Sequence, residues 1–226
     1  MQTMKHTTLL LLLLVLTAVG CQSALVTALV LINGTDVAPK YDILLKGDKR
    51  VAVVPRAVYS NAYELQNAPR EIARLVSASL DENVRNKKLK VVEQSKVEAW
   101  LDNCNNDFDS FAEVGKDKSI KADIVIGFDV LLFQIRDPQN AYLIQGKCQV
   151  QVKAIECATG KVLTSDTLTI VDPPSMPIHG GPYMESQFRP QFVQVVAQRI
   201  AALFHHYDAK KIQRFDADNL EMHRLN

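Results

Sequence analysis

Few residues in this chain have the type and spacing that chemistry needs, and most of those point away from catalysis. Cys21 closes the apolar run Leu9–Val19, directly after Ala18-Val19-Gly20, where a thiol becomes the first residue if the chain is cut there. His205-His206-x-Asp208 offers three metal-ligand types. Adjacent helical residues point about 100° apart, so the two imidazoles do not converge on one ion; the expectation is a solvated helix end helped by the dipole. Asp107-Phe108-Asp109 alternates as a calcium loop does, but the Gly and Glu of such a loop do not follow in register. Asp36, Asp42, Asp107, Asp109, Asp117 and Asp123 make no recognisable acid/base pair. His179-Gly180-Gly181 shares only its letters with an oxyanion loop. Neither Gly-x-Ser-x-Gly nor a phosphate loop occurs. The expectations are no enzyme, no catalytic residues, no cofactor and no metal. Asp129 falls on a strand and, if buried, needs a partner that the sequence does not name.

The leader sets the address. Lys5 and His6 precede the apolar run, and small residues end it, the layout of a secretory signal. Leu16-Thr17-Ala18-Val19-Gly20-Cys21 resembles a lipobox, which implies that 1–20 is removed and Cys21 is lipidated. Ala18 stands where a lipobox usually has Leu, and Ala18-Val19-Gly20 also reads as an ordinary small-x-small cleavage site. A third reading joins the run to Ala24–Ile32 as an uncleaved anchor long enough to span a bilayer, although Gln22, Ser23 and Thr27 interrupt it. Gln22 rather than Asp after Cys21 resembles the default sorting to the inner leaflet of an outer membrane.

Composition narrows the class. A hydrophobic share of 47% with 23% charged residues is that of a globular domain. The net charge of +1 leaves no global field to attract nucleic acid; Lys87-Lys88-Leu89-Lys90 is the densest basic cluster, expected as a solvated helix end. With Cys21 lipidated, Cys104, Cys148 and Cys157 remain, an odd number, and no Cys-x-x-Cys occurs. On one strand Cys148 and Cys157 lie roughly 30 Å apart on opposite faces and cannot pair.

The elements that must position these residues follow from periodicity. Arg50–Val54 is a strand buried on both faces, ended by Pro55. A helix begins at Asn67 with Pro69 and Glu71 in its first turn and Ile72, Leu75, Val76, Leu80 and Val84 as its stripe. Leu89–Glu93 is a second strand. Ser95-Lys96-Val97-Glu98 is a capping box opening a short helix with Val97, Trp100 and Leu101. Asp102–Lys121 has no clear period, though Phe108 and Phe111 imply that it is held down. Asp123–Phe133 is a third strand with Ile124, Ile126, Phe128, Val130 and Leu132 on one face. Arg136–Asn140 turns the chain. Tyr142–Glu156 and Val162–Val171 form a hairpin around Ala158-Thr159-Gly160-Lys161. Asp172–Pro182 is too rich in Pro and Gly for regular structure, and Gln187–Tyr207 is a long amphipathic helix carrying Phe188, Phe192, Val195, Val196, Ile200, Leu203 and Phe204. The result is an α/β (α+β) fold: a mixed sheet of about five strands with helices packed on it. The order is strand-helix-strand-helix-strand, then a β-hairpin and a long C-terminal helix. The expected domains are 1–20 signal peptide, 21–48 membrane-proximal tether, 49–207 α/β domain and 208–226 polar tail.

The ordered set Arg50–Pro55, Val91–Val97, Ala122–Gly127 and Ala158–Val162, behind a lipobox-like leader, resembles one α/β domain over about Arg50–Tyr207. That domain is shared by the curli-secretion channel lipoprotein, the penicillin-binding-protein activator lipoproteins and the amino-terminal domain of the TolB translocation protein. The resemblance implies a fold and a habit of binding other envelope proteins, with no nucleic acid. The loops Arg56–Gln66 and Asp172–Glu185 are too short and Pro-rich to add the membrane strands of a secretion pore. Gln22–Lys49 reaches at most roughly 90–100 Å when extended. The expectation is a periplasm-facing lipoprotein held in the outer membrane through lipidated Cys21, a non-catalytic scaffold for an envelope protein partner. The alternative is a periplasmic small-ligand-binding domain using the Tyr59–Tyr63 loop.

Overall fold

Val51-Ala52-Val53-Val54 offers nothing to water on either side, so it belongs inside a layered sheet. The computed structural model describes residues 36–58, 67–137, 140–174, 176–180 and 182–208. In it, all four residues are fully buried within β2 (Lys49–Ala57). Val51 and Val53 enter one hydrophobic core and Ala52 and Val54 the other. The strand β1 (Asp36–Val37) precedes it, and the folded unit that contains the sheet begins at Val37. Among the described residues no helix is long and apolar enough to cross a membrane.

After β2 come α1 (Ala68–Asn83), β3 (Leu89–Val91), α2 (Gln94–Asn103), α3 (Phe111–Lys116), β4 (Ile124–Asp137), β5 (Asn140–Glu156), β6 (Val162–Asp172), β7 (Ile178–His179), α4 (Pro182–Ala201) and β8 (Tyr207–Asp208). The main sheet runs β3-β2-β4-β5-β6, with β7 added to β5. β2 is parallel to β3 and β4; β5 is antiparallel to β4 and β6. The mixed sheet and the element order match the expectation, with β1, α3, β7 and β8 as additions. α1 and α4 cover one face of the sheet over the larger core, while α2 and α3 cover only part of the other.

Several local expectations are corrected. Pro55 does not end its strand: β2 runs on to Ala57. β3 pairs only with Lys49–Val51, so beyond that point one edge of β2 has no ladder for a missing N–H to break. The capping box lies elsewhere: α2 starts one residue before Ser95, with Glu93 at the cap position and no side-chain cap bond. The same Ser-x-x-Glu pattern at Ser110–Glu113 caps α3, the Ser110 hydroxyl accepting from the Glu113 N–H at 3.4 Å. Leu132 does not share the face of Val130. A register shift against β5 lies between them, so Leu132 is 42% exposed and Phe133 and Ile135 enter the core instead. Ile178–His179, within the stretch expected to be irregular, pairs with Leu143–Ile144. The last helix begins at Pro182 and ends at Ala201, so Pro190 lies inside it, on its exposed side. Beyond Ala201 the bonds Leu203 N–H to Ile200 O and Phe204 N–H to Ala201 O tighten the chain, and both side chains are still buried.

Candidate docking edge and the groups around it

β6 ends the sheet, and among the described residues nothing pairs along its outer side. Its sequence, Val-Leu-Thr-Ser-Asp-Thr-Leu-Thr-Ile-Val-Asp, has no Lys, Arg or Pro. Proteins blunt an edge of this length with such residues or with a bulge, and β6 has one register shift, at Leu163 near its start. The face that α2 and α3 leave uncovered adjoins this edge. There Gln149 of β5 and Ser165, Thr167, Thr169 and Val171 of β6 are exposed. Their alternation with Val150, Val152 and Ile170 in the core fixes which side is wet. On the covered side, a groove of about 530 Å³ runs between β6 and the end of α4, lined among others by Leu168, Val195, Arg199 and Leu203. Lys40 crosses it to Asp166 at 2.5 Å.

The corner where β2, β4 and β5 meet α3 holds the buried Asp129, 4% exposed. The partners that the sequence left unnamed are Arg56, whose Nε donates to Oδ1 at 2.6 Å, and Lys153, whose Nζ lies 3.6 Å from Oδ2. The Arg56 guanidinium lies 4.8 Å from the Phe111 ring centroid and 5.4 Å from that of Phe108. Phe111 in turn rests on Gly127, where a Cβ would meet its ring at 2.4 Å. Trp100 and Phe108 extend the aromatic row edge to face. These contacts hold down the segment that periodicity left open. Arg56 and Lys153 outnumber the carboxylate between them, leaving this corner cationic beside the open face. At the other end of the sheet Asp123 accepts from the Arg50 N–H at 2.7 Å, and Asp117 from Ser119, which hold its carboxyl below the usual range.

His205 is not a solvated helix end. It lies past α4, is 6% exposed, and its Nε2 meets Ser79 Oγ at 2.9 Å while its Nδ1 faces the His206 carbonyl at 2.6 Å. The carbonyl accepts a hydrogen bond from Nδ1–H, so Nε2 accepts from the serine hydroxyl. Ser79 sits inside α1, whose N–H groups serve the helix ladder. The contact ties the segment after α4 to α1. Burial holds the imidazole below its ordinary value of 6.5, against the opposing carbonyl bond. The unfolded chain therefore takes up the proton first as pH falls. The contribution of the neutral ring is complete above about 6.5, is lost as pH falls from there to the lowered folded value, and then stays constant. The urea midpoint of the protein is expected to drop as pH falls below about 6.5, and that of His205→Gln to drop less. Parallel drops would refute the assignment.

Burial pushes the Cys148 thiol up to about 12 and that of Cys157 to about 11, so neither is a nucleophile at neutral pH. They lie in opposite cores, as their spacing required, and the described cysteines are all free thiols. Among the described residues no three His, Cys, Asp or Glu side chains gather as a metal set. Asp107 and Asp109 are exposed in a loop. Cys21, the signal segment, Ala24–Ile32, the Tyr59–Tyr63 loop and the tail beyond Asp208 lie outside the described residues.

No family model matches the chain, and no curated protein matches it. Among solved structures it is similar to the PelC dodecamer from Paraburkholderia phytofirmans, at 15% identity over 75% of this chain and 95% of that one, with a TM-score of 0.40. It is similar to lipoprotein GNA1162 from Neisseria meningitidis, at 13% identity over 68% and 98%, TM-score 0.42. The LpoB C-terminal domain from Salmonella enterica is a third, at 14% identity over 57% and 87%, TM-score 0.31. Likenesses this distant carry no statement about role.

Proposed function

We propose that this chain is a lipid-anchored envelope protein that works as a non-catalytic scaffold, docking another envelope protein along β6. The leader ending in Cys21 supports the anchor. The observation that carries the docking role is β6 itself: an eleven-residue strand with no Lys, Arg or Pro, along whose outer side no strand pairs among the described residues. An extended segment of the partner would continue the sheet by backbone hydrogen bonds, and the open Gln/Thr face beside it would receive the alternate side chains.

The test combines an anchor readout with a docking readout. Growing cells labelled with palmitate are expected to mark the chain, and Cys21→Ala to lose the mark; absence of label in the parent overturns lipidation alone. A photo-crosslinker placed at Thr167 or Thr169 is expected to capture one envelope protein. The same crosslinker at Glu82, on α1, is expected not to capture it. Lysines introduced at Ser165 and Val171, both exposed, are expected to reduce that capture at least ~10-fold through the cost of burying unpaired charge. Undiminished capture by that variant overturns docking along β6.

A further inference from the structure

We infer that β6 pairs with β6 of a second copy of this chain, antiparallel about a two-fold axis at Thr169. The backbone decides which groups are open to such pairing. The Glu156 N–H bonds the Lys161 carbonyl across the hairpin, whereas the Cys157 N–H bonds the Asp123 carbonyl on the β4 side. Alternate residues of an antiparallel ladder turn their backbone groups to opposite sides. Even-numbered residues of β5 therefore face β6, and their register partners Thr164, Asp166, Leu168, Ile170 and Asp172 face back. Ser165, Thr167, Thr169 and Val171 turn their N–H and C=O groups outward. One end of this row is closed. The Tyr41 hydroxyl reaches the Ser165 carbonyl at 3.5 Å and the Asp166 carboxylate at 3.4 Å, and Lys40 pairs with the same carboxylate. Tyr41 is itself held in place, its N–H on the Leu203 carbonyl at 2.9 Å and its ring 6.0 Å from that of Phe204. The other end closes where β6 stops at Asp172, since Pro173 and Pro174 have no N–H to donate. The open window is Thr167–Val171. Ser165 and Pro173 stand four residues to either side of Thr169, so the window is centred on Thr169.

Two such windows fit one another. A two-fold contact must be self-complementary, residue i against j and j against i. With Thr169 on the axis, Thr169 meets its own copy, Thr167 meets Val171, and Leu168 meets Ile170. The Thr–Thr pair is favourable on the open face, and the window holds no charge to be set against its like. Asp166, at its border, already has Lys40. Leu168 and Ile170 line the groove between β6 and α4, and each would lose its exposure to the other across the seam. A five-residue ladder is a small interface, so the dimer is reversible. The pairing does not need the docking role proposed above. Where a partner docks along β6, it does so by displacing the second copy.

The test uses the full chain in mild detergent, in a Cys21→Ser/Cys104→Ser background that leaves only the buried Cys148 and Cys157 thiols. Thr169→Cys alone is expected to oxidise to an intermolecular disulfide, because a residue on the axis meets itself about 5.5 Å away, within disulfide reach. Thr167→Cys and Val171→Cys are expected to crosslink at least ~10-fold more when mixed than when alone. Glu82→Cys, exposed on α1, is expected to stay monomeric. Sedimentation gives a second readout. Thr169→Lys and Thr169→Glu each set like charges opposite one another and are expected to weaken association at least ~10-fold, and an equimolar mixture of the two to restore it, which also shows that both are folded. No self-disulfide at Thr169, or equal crosslinking at Glu82, overturns the inference. So does a photo-crosslinker at Thr169 that reaches only residues of its own molecule, since the edge is then covered from within. Failure of the docking role reads differently: the self-disulfide forms, and no other envelope protein is captured at Thr167.

Discussion

Phe192→Ala is expected to destabilise the domain by about 3–5 kcal/mol, read as a shift of the urea midpoint at constant slope. Phe192 is fully buried, stacked on Phe188 with ring centroids 5.9 Å apart and tilted against Phe133 at 5.4 Å. It is also pressed against the backbone of β5. A Cβ at Gly146 would stand 2.5 Å from its ring, closer than atoms can approach. This explains a glycine in the middle of a seventeen-residue strand: the side chain of α4 occupies the space. The pair makes the prediction sharper than a cavity argument alone. Gly146→Ala should cost about 1–3 kcal/mol by overpacking in the parent. In the Phe192→Ala background it should cost little, because its clash partner is gone. Additive costs would show that the strand, not the ring, needs the glycine.

How far the sequence reached depended on whether a residue's environment was local. The buried run at Val51–Val54 and the hairpin around Gly160, whose φ of +74° suits glycine, could be read from two or three neighbours. The helix starts were less legible because Ser-x-x-Glu occurs twice. Ser95 loses the competition because Glu93 precedes it, the chain already turns at Gln94, and Gln94 is held by Ser77 across α1. Ser110 wins because Phe111 directly after it is anchored on Gly127, a contact sixteen residues away that no window reveals. Leu132 departs from the face that alternation gives it for a similar reason. Strict alternation holds only until a register shift, and that shift is set by pairing with β5.

The candidate site was less legible still. An edge strand is defined by what is absent beside it in the sheet order, and sequence order puts β6 after β5 without saying that nothing follows. The signal that could have flagged it is compositional: a long strand pattern free of Lys, Arg and Pro. His205 departs from the expected solvated helix end because helix α4 ends three residues before its apolar stripe does. The stripe continues through Leu203 and Phe204 in tight turns, and these carry His205 inward to Ser79.

Asp129→Leu is expected to cost about 3 kcal/mol, toward the low end for breaking a buried ion pair. The discount follows from its partners: the Arg56 and Lys153 side chains keep 30% and 27% of their exposure, so water shares in solvating them. Lys153 can swing its ammonium outward on a flexible stem. Arg56 has less freedom, since its guanidinium is fixed over Phe108 and Phe111 and its charge would be left facing an apolar leucine. Most of the penalty therefore belongs to Arg56, and Arg56→Met/Asp129→Leu should recover much of it, being less destabilised than Asp129→Leu alone in urea titration. If the two costs simply add, the pair is not coupled and Asp129 is held by something other than its cations. Asp129→Asn separates stability from docking. It keeps an oxygen for the Arg56 N–H but removes the charge, so the corner stays folded and becomes more cationic beside the open face. A partner whose contacting side chains are acidic would then crosslink to Thr167 more strongly, and one that reads only the backbone edge of β6 would crosslink as before.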